Sequence, residues 1–234
     1  MKFHYYYNQI PGGELWRNNL IYTSLISEDK KTFVQWYHND SEYHQGMNEV
    51  VDPQLMNEKW SRELCYLTHM ADRHPESVPE ILDIDLLEKK IYLKIDGVDL
   101  WQRSLDRDNC AFEEIVPDWQ DQMLAIFKNY IDLNLWKYSL HPSSYFIVDG
   151  KLKSINYFFT YGAEDGFITV RDHLSHISEG RRKEMKSKTD VMGIDWDTPQ
   201  SLYIMQMLAF ESFRNNYPAE FIDRAKSLYD HLRD

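Results

Sequence analysis

Short apolar runs set off by polar turns occupy the first forty residues. Residues 3–10 carry one run, closed by Pro11-Gly12-Gly13. Residues 19–27, NLIYTSLIS, form a second, and Glu28-Asp29-Lys30 makes a polar turn before a third, KTFVQWYH at 31–38. β-branched and aromatic residues suit the pleated, half-buried surface of a strand, so the stretch predicts an antiparallel β-meander. Residues 39–53 are polar and loop-like. The spacing then changes: Leu55, Trp60, Leu64, Leu67 and Met70 recur at roughly helical intervals, predicting a helix from about Pro53 to His74. Pro75 to Pro79 break it, and two short strands are expected near 80–85 and 90–96.

Asp96-Gly97 punctuates the chain and is the first candidate boundary. Beyond it, Trp119, Met123, Ile126, Phe127 and Tyr130 make one apolar face of a helix within 117–135. Residues 136–160 read as an approach, a turn at Leu140-His141-Pro142, and two strands joined by Asp149-Gly150, a pair suited to a two-residue hairpin turn. Residues 161–170 read as a loop with Gly162 and Gly166, and 172–188 as partly helical. After a loop at 190–200, Asp197 or Thr198 before Pro199 suggests a helix start. Amphipathic helices are expected over 199–214 and 218–233. The pattern is α+β: a small antiparallel sheet with one helix over residues 1–96, then a mainly helical part over 97–234 that carries a β-hairpin.

Composition narrows the function classes. A net charge of −12 and a pI near 5.2 disfavour general binding to nucleic acid or an anionic membrane, because both depend on cations meeting phosphates. The densest basic run, Arg181, Arg182, Lys183, Lys186 and Lys188, fits a solvated helix end or loop. Aromatics reach 15%, with sixteen Tyr, and point to an aromatic core before a stacking surface. Two cysteines make neither a disulfide framework nor a zinc pattern. Cys65, among apolar residues of the first helix, is expected to be a buried thiol. His173 and His176 stand three apart but lack an evident third metal ligand. No apolar stretch has the length of a signal peptide core or a membrane span. A reduced, cytoplasmic setting is the expectation.

The stretch WKYSLHPSSYFIVDGKLKSINYFFT at 136–160 carries most of the chemical information. Its layout of turn, strand, tight turn and strand resembles the segment of the protein-kinase-like superfamily in which H-R-D-L-x-x-x-N leads to D-F-G. The likeness is closer to the compact bacterial and small-molecule-kinase branch than to eukaryotic protein kinases. It implies a bilobal fold, with residues 1–96 as the small β lobe and 97–234 as the helical lobe.

The resemblance also assigns positions. Ser139 stands at the catalytic Asp, Ser144 at the metal-binding Asn and Asn156 at the D-F-G Asp. Gln35 falls at the phosphate-pairing lysine, with Tyr37 on the same strand face as the alternative. Glu63 falls at that lysine's helix glutamate. Facing inward it would lack the lysine; otherwise it faces water or pairs with Arg62 or Lys59. Gly12 and Gly13 fall where the family has a glycine-rich turn over phosphates. Residues 91–100, with Asp96 and Val98, resemble the hinge whose backbone bonds adenine in the family. These six residues, Gly12, Gly13, Gln35, Glu63, Asp96 and Val98, outline the implied nucleotide cleft. Tyr157 and Phe158 replace Phe-Gly and are candidates to fill it.

The substitutions act in one direction. Ser139 cannot serve as a base near neutral pH, and a positioned base contributes roughly 10²–10⁴-fold. Ser144 lacks the amide oxygen, and Asn156 offers Mg²⁺ a neutral group where hard cations favour anionic oxygen. Asp149 is explained by its turn. Glu164 and Asp165 lie close enough in sequence to stand in for a metal-binding carboxylate. A Ser139–His141 nucleophile pair is a weaker reading, because His before Pro is structural in such loops. The resemblance therefore implies a pseudokinase with a binding or regulatory role toward a protein or small molecule. ATP is the ligand it leaves open, Mg²⁺ is disfavoured, and no metal site is assigned. A divergent ATP-dependent phosphotransferase acting on a small molecule or protein is the alternative, and a non-kinase α+β protein is the third.

Overall fold

The computed structural model describes residues 1–6, 22–38, 53–158, 160–162, 203, 206–207, 209–211 and 213–230. Gly12, Gly13, Glu164, Asp165, His173, His176, Thr198 and the basic run at 181–188 lie outside the described residues. Among those described, the chain is α+β with an antiparallel sheet. It forms two compact units. The first comprises Met1–Ile126 and His141–Phe159; the second comprises Phe127–Leu140 and Thr160–Asp234. The Asp96-Gly97 boundary falls inside the first unit.

The first unit is built on a five-stranded sheet in the order β1-β2-β3-β5-β4. Its strands are β1 (Phe3–Tyr5), β2 (Thr23–Ser27), β3 (Thr32–Trp36), β4 (Ile81–Asp85) and β5 (Lys90–Lys94). Neighbours pair antiparallel, with Leu25 opposite Val34 and Val34 opposite Tyr92. The Glu28–Lys30 turn has a local cause. Ser27 Oγ donates to Asp29 Oδ1 at 2.6 Å and accepts from the backbone N–H groups of Lys31 and Thr32. Such side-chain bonds fix a turn without further help from packing.

Helix α1 (Pro53–Arg73) follows β3 and ends two residues before Pro75, whose ring disfavours helix at the preceding position, His74. It buries Trp60, Glu63, Tyr66, Leu67 and Met70. Cys65 is exposed, not buried as its apolar neighbours suggested. At about 100° per residue it lies roughly 140° around the helix from Trp60 and so turns away from the packed stripe. Helix α2 (Leu100–Leu105) is capped by Asp99, whose Oδ1 accepts from Gln102 N–H at 2.9 Å.

Helix α3 (Trp119–Asp132) buries Trp119, Met123, Ile126, Phe127 and Tyr130, the face expected from spacing. The hairpin β7 (Tyr145–Val148) and β8 (Lys151–Ser154) pairs Val148 with Lys151 across Asp149-Gly150. Both turn residues have positive φ, 50° and 74°, as a mirror-type two-residue turn requires.

The second unit pairs β6 (Trp136–Lys137) with β9 (Thr160–Tyr161). Its core gathers Phe127, Phe210 and Phe221, with ring centroids near 6 Å. Helix α4 (Ala219–Asp230) supplies Phe221, Ala225 and Tyr229 to that core. Tyr217, just before it, donates to the Leu140 carbonyl at 2.6 Å. Among the described residues no helix is long and apolar enough to cross a membrane.

Candidate functional site

Three residues assigned from sequence meet in the first unit. Gln35 lies on β3 and is fully buried, one of the alternating set Phe33, Gln35 and Tyr37 that shares a strand face. Its Nε2 donates to Asn156 Oδ1 at 3.2 Å across 121 residues of chain. The amide of Asn156 in turn donates from Nδ2 to Ser144 Oγ at 2.9 Å. Asn156 follows β8 and adopts φ +67°, a left-handed conformation that Asn tolerates far better than most residues. Ser144 closes the turn after His141, with its N–H on the His141 carbonyl and its own carbonyl accepting from Ile155 N–H at 2.9 Å. The two residues are thus tied by backbone and side chain together.

A fourth residue completes the cluster. Tyr22, just before β2, donates its phenol to Asn156 Oδ1 at 2.5 Å. Its ring packs against Tyr37 and Phe158, with centroids 5.3 and 5.5 Å away. Those two neighbours share one partner. Tyr37 donates to Glu63 Oε2 at 3.1 Å, and Phe158 N–H donates to the same oxygen at 2.8 Å. Glu63 is fully buried, so it faces inward and not water, and Arg62 bonds Glu58 at 3.0 Å. Burial pushes the Tyr37 phenol well above its ordinary range, and the nearby Glu63 carboxylate pushes it further.

The chemistry of the Asn156 cluster is that of neutral groups: two carboxamides, a hydroxyl and a phenol. It holds no side chain able to carry a proton to or from a substrate near neutral pH. Gln35 Oε1 is buried and has no hydrogen-bond partner among the described residues. Among the described residues, no group of three His, Cys, Asp or Glu is placed to hold a metal ion.

The remaining assigned residues lie elsewhere. The carbonyls of Asp96 and Val98 both accept from the Arg103 guanidinium, the latter at 3.1 Å from Nε. Gly97 N–H is bonded to the Lys30 carbonyl at 2.8 Å. Ser139 belongs to the second unit, where its carbonyl accepts from Lys137 Nζ at 2.6 Å. His141 Nδ1 bonds the Ser143 N–H and hydroxyl, and its ring meets Trp101 edge-on at 5.0 Å, a structural role. Tyr157 and Phe158 are buried.

Tyr22 was missed by sequence reasoning, and so was Tyr6, which bonds Asp99. Both sit in runs that read simply as strand. The available signal was the tyrosine content itself, since a buried phenol needs a partner for its hydroxyl.

No protein-family model matches this chain, and no curated protein matches it.

Proposed function

We propose that this chain is a kinase-like protein that does not transfer phosphate and acts by binding, as a pseudokinase with a regulatory role toward a protein or small molecule. The observation that carries the reading is the direct bonding of Gln35, Asn156 and Ser144. Motif order alone assigned these positions to the phosphate-pairing lysine, the D-F-G Asp and the metal-binding Asn. Gln35 and Asn156 meet across 121 residues of chain, which supports the alignment that brought them together. Glu63, assigned to the helix glutamate, joins the neighbouring Tyr37–Phe158 pair. An antiparallel sheet with one inserted helix, followed by a helix and a β-hairpin, further supports the kinase-like arrangement.

The same bonds argue against turnover. Phosphoryl transfer depends on positioning and on stabilising charge at the phosphates and metal. Here the corresponding side chains are neutral and spend their hydrogen bonds on one another. Moving them onto a nucleotide would break at least the Gln35–Asn156 and Ser144–Asn156 contacts. A binding role needs none of that rearrangement.

The test is a thermal-shift titration with ATP, with and without Mg²⁺ or Mn²⁺, alongside a phosphate-release assay. The expected result is no metal-dependent shift and no phosphate release. A metal-dependent shift accompanied by release would overturn the reading in favour of the divergent phosphotransferase.

A further inference from the structure

The short helical turn Pro75–Ser77, just after helix α1, is tied to the β7–β8 hairpin by a lysine. Lys153 Nζ donates to the Glu76 carbonyl at 2.6 Å and to the Pro75 carbonyl at 3.3 Å. An ammonium carries three donors, so one remains. Both acceptors are neutral, and among the described residues Lys153 forms no ion pair. Burial holds the ammonium below the usual lysine range, although the charges of Glu76 and Asp149 pull the other way.

Lys153 lines a cavity of about 450 Å³, a volume typical of small-ligand sites. The cavity belongs wholly to the first unit. Its apolar wall includes Ala71 from α1, Val78, Ile81 from β4 and Val148 from β7. Asp149 lines it too, presented from the hairpin turn at φ +50°. Its carboxylate has no hydrogen-bond partner among the described residues. Asp149 is near enough for its charge to act on the Lys153 ammonium, yet the two do not pair. Lys94 and Glu80, also on the wall, are engaged with each other at 3.0 Å. One cation and one carboxylate, unpaired and set apart, therefore share an apolar-walled cavity.

We propose that this cavity binds a small aliphatic α-amino acid. Its carboxylate accepts the remaining proton of Lys153, its ammonium donates to Asp149, and its side chain packs on Val78, Ile81 and Val148. Hydrogen bonds between charged partners are the strong ones, and this ligand makes one at each end of its charged head. A plain carboxylate would meet Asp149 with like charge, and a plain amine would meet Lys153 in the same way. A peptide carries its two end charges too far apart. None of these residues belongs to the Asn156 cluster, so the ligand is expected whether or not phosphate is released.

The test uses the full isotope-labelled chain, following the backbone amides of Ile81, Gly150 and Lys153 by NMR. The probes are L-leucine, isocaproate, which lacks the ammonium, and isoamylamine, which lacks the carboxylate. Leucine is expected to give saturable shifts and to bind about tenfold more tightly than either other probe, the worth of one charged hydrogen bond. Asp149→Asn keeps the turn, since Asn-Gly suits it as Asp-Gly does. It is expected to weaken leucine about tenfold while leaving isocaproate no weaker. Lys153→Met is expected to weaken leucine but not isoamylamine. No saturable shift with leucine up to its solubility overturns the site. Equal affinity for leucine and isocaproate, or equal affinity of Asp149→Asn and wild type for leucine, overturns the amino-acid assignment. If Lys153→Met does not fold, the Asp149→Asn comparison decides.

Discussion

Asn156 Nδ2 donates to Ser144 Oγ at 2.9 Å, and the two residues are also joined through Ile155 N–H and the Ser144 carbonyl. This double tie lets a neutral amide hold two further donors, Tyr22 and Gln35, on its other atom. Replacing Asn156 by Ala leaves those donors and the Ser144 hydroxyl short of a buried partner. It also places Ala at positive φ. Each unsatisfied buried group costs about 1–3 kcal/mol. Asn156→Ala is therefore expected to lower unfolding free energy by about 3 kcal/mol in denaturant melts. Ser144→Ala on that background should cost little more, with a coupling of roughly 1 kcal/mol in the double-mutant cycle. Full additivity of the two substitutions would show that the contact carries no energy.

Glu63 offers a graded comparison. Tyr37→Phe removes one donor from its Oε2, whereas Glu63→Ala strips the acceptor from both Tyr37 and Phe158 N–H. The expected order in urea is wild type, then Tyr37→Phe lower by about 1 kcal/mol, then Glu63→Ala lower by about 3 kcal/mol. Equal losses for the two variants would mean that the Phe158 N–H bond is energetically idle.

Alkaline pH should unfold the protein through its tyrosines. Burial raises the phenols of Tyr37, Tyr217 and Tyr229 above the ordinary value. For each, the unfolded chain loses its proton near pH 10 while the folded chain retains it. Their contribution to stability is therefore complete below about pH 10 and falls as pH rises toward the folded values. The slope approaches about 1.4 kcal/mol per pH unit for each group. Absorbance of tyrosinate and loss of ellipticity should rise together above pH 10. A gradual, non-cooperative tyrosinate titration with retained ellipticity would contradict the burial of these phenols.

The elements were legible because they rest on local chemistry. The helical spacing of Trp60, Leu67 and Met70, the Asp149-Gly150 turn and the Pro75 stop each announce their own structure. The candidate site was legible in part: Gln35 and Ser144, singled out from sequence, both bond Asn156, and Glu63 bonds the neighbouring Tyr37 and Phe158. What could not be read was which phenols would close the cluster. Tyr22 and Tyr6 bond residues 134 and 93 positions away, and no local pattern separates them from other strand tyrosines. Cys65 shows the converse limit: apolar neighbours in sequence lie on other faces of a helix, so they do not bury the residue between them.

The turn between β5 and α2 permits a separation of backbone strain from steric fit. Gly97 has φ +88°, a region that side chains rarely enter, and a Cβ there would stand 3.1 Å from Arg103 Nη2. Gly97→Ala should therefore suffer twice: about 1–2 kcal/mol from the left-handed backbone, and a smaller amount from displacing the guanidinium. That displacement also weakens the Arg103 bonds to the Asp96 and Val98 carbonyls. Arg103→Ala alone forfeits those bonds but leaves both carbonyls near solvent, since Asp96 is exposed and Val98 half-buried. Its cost is expected to be below about 1 kcal/mol, because the net worth of a solvent-accessible hydrogen bond is small. Combining the two should cost less than their sum, as the clash vanishes with the arginine while the backbone term remains. Urea melts of the four proteins measure each term. If Gly97→Ala matches wild type, neither the positive φ nor the close approach constrains this turn.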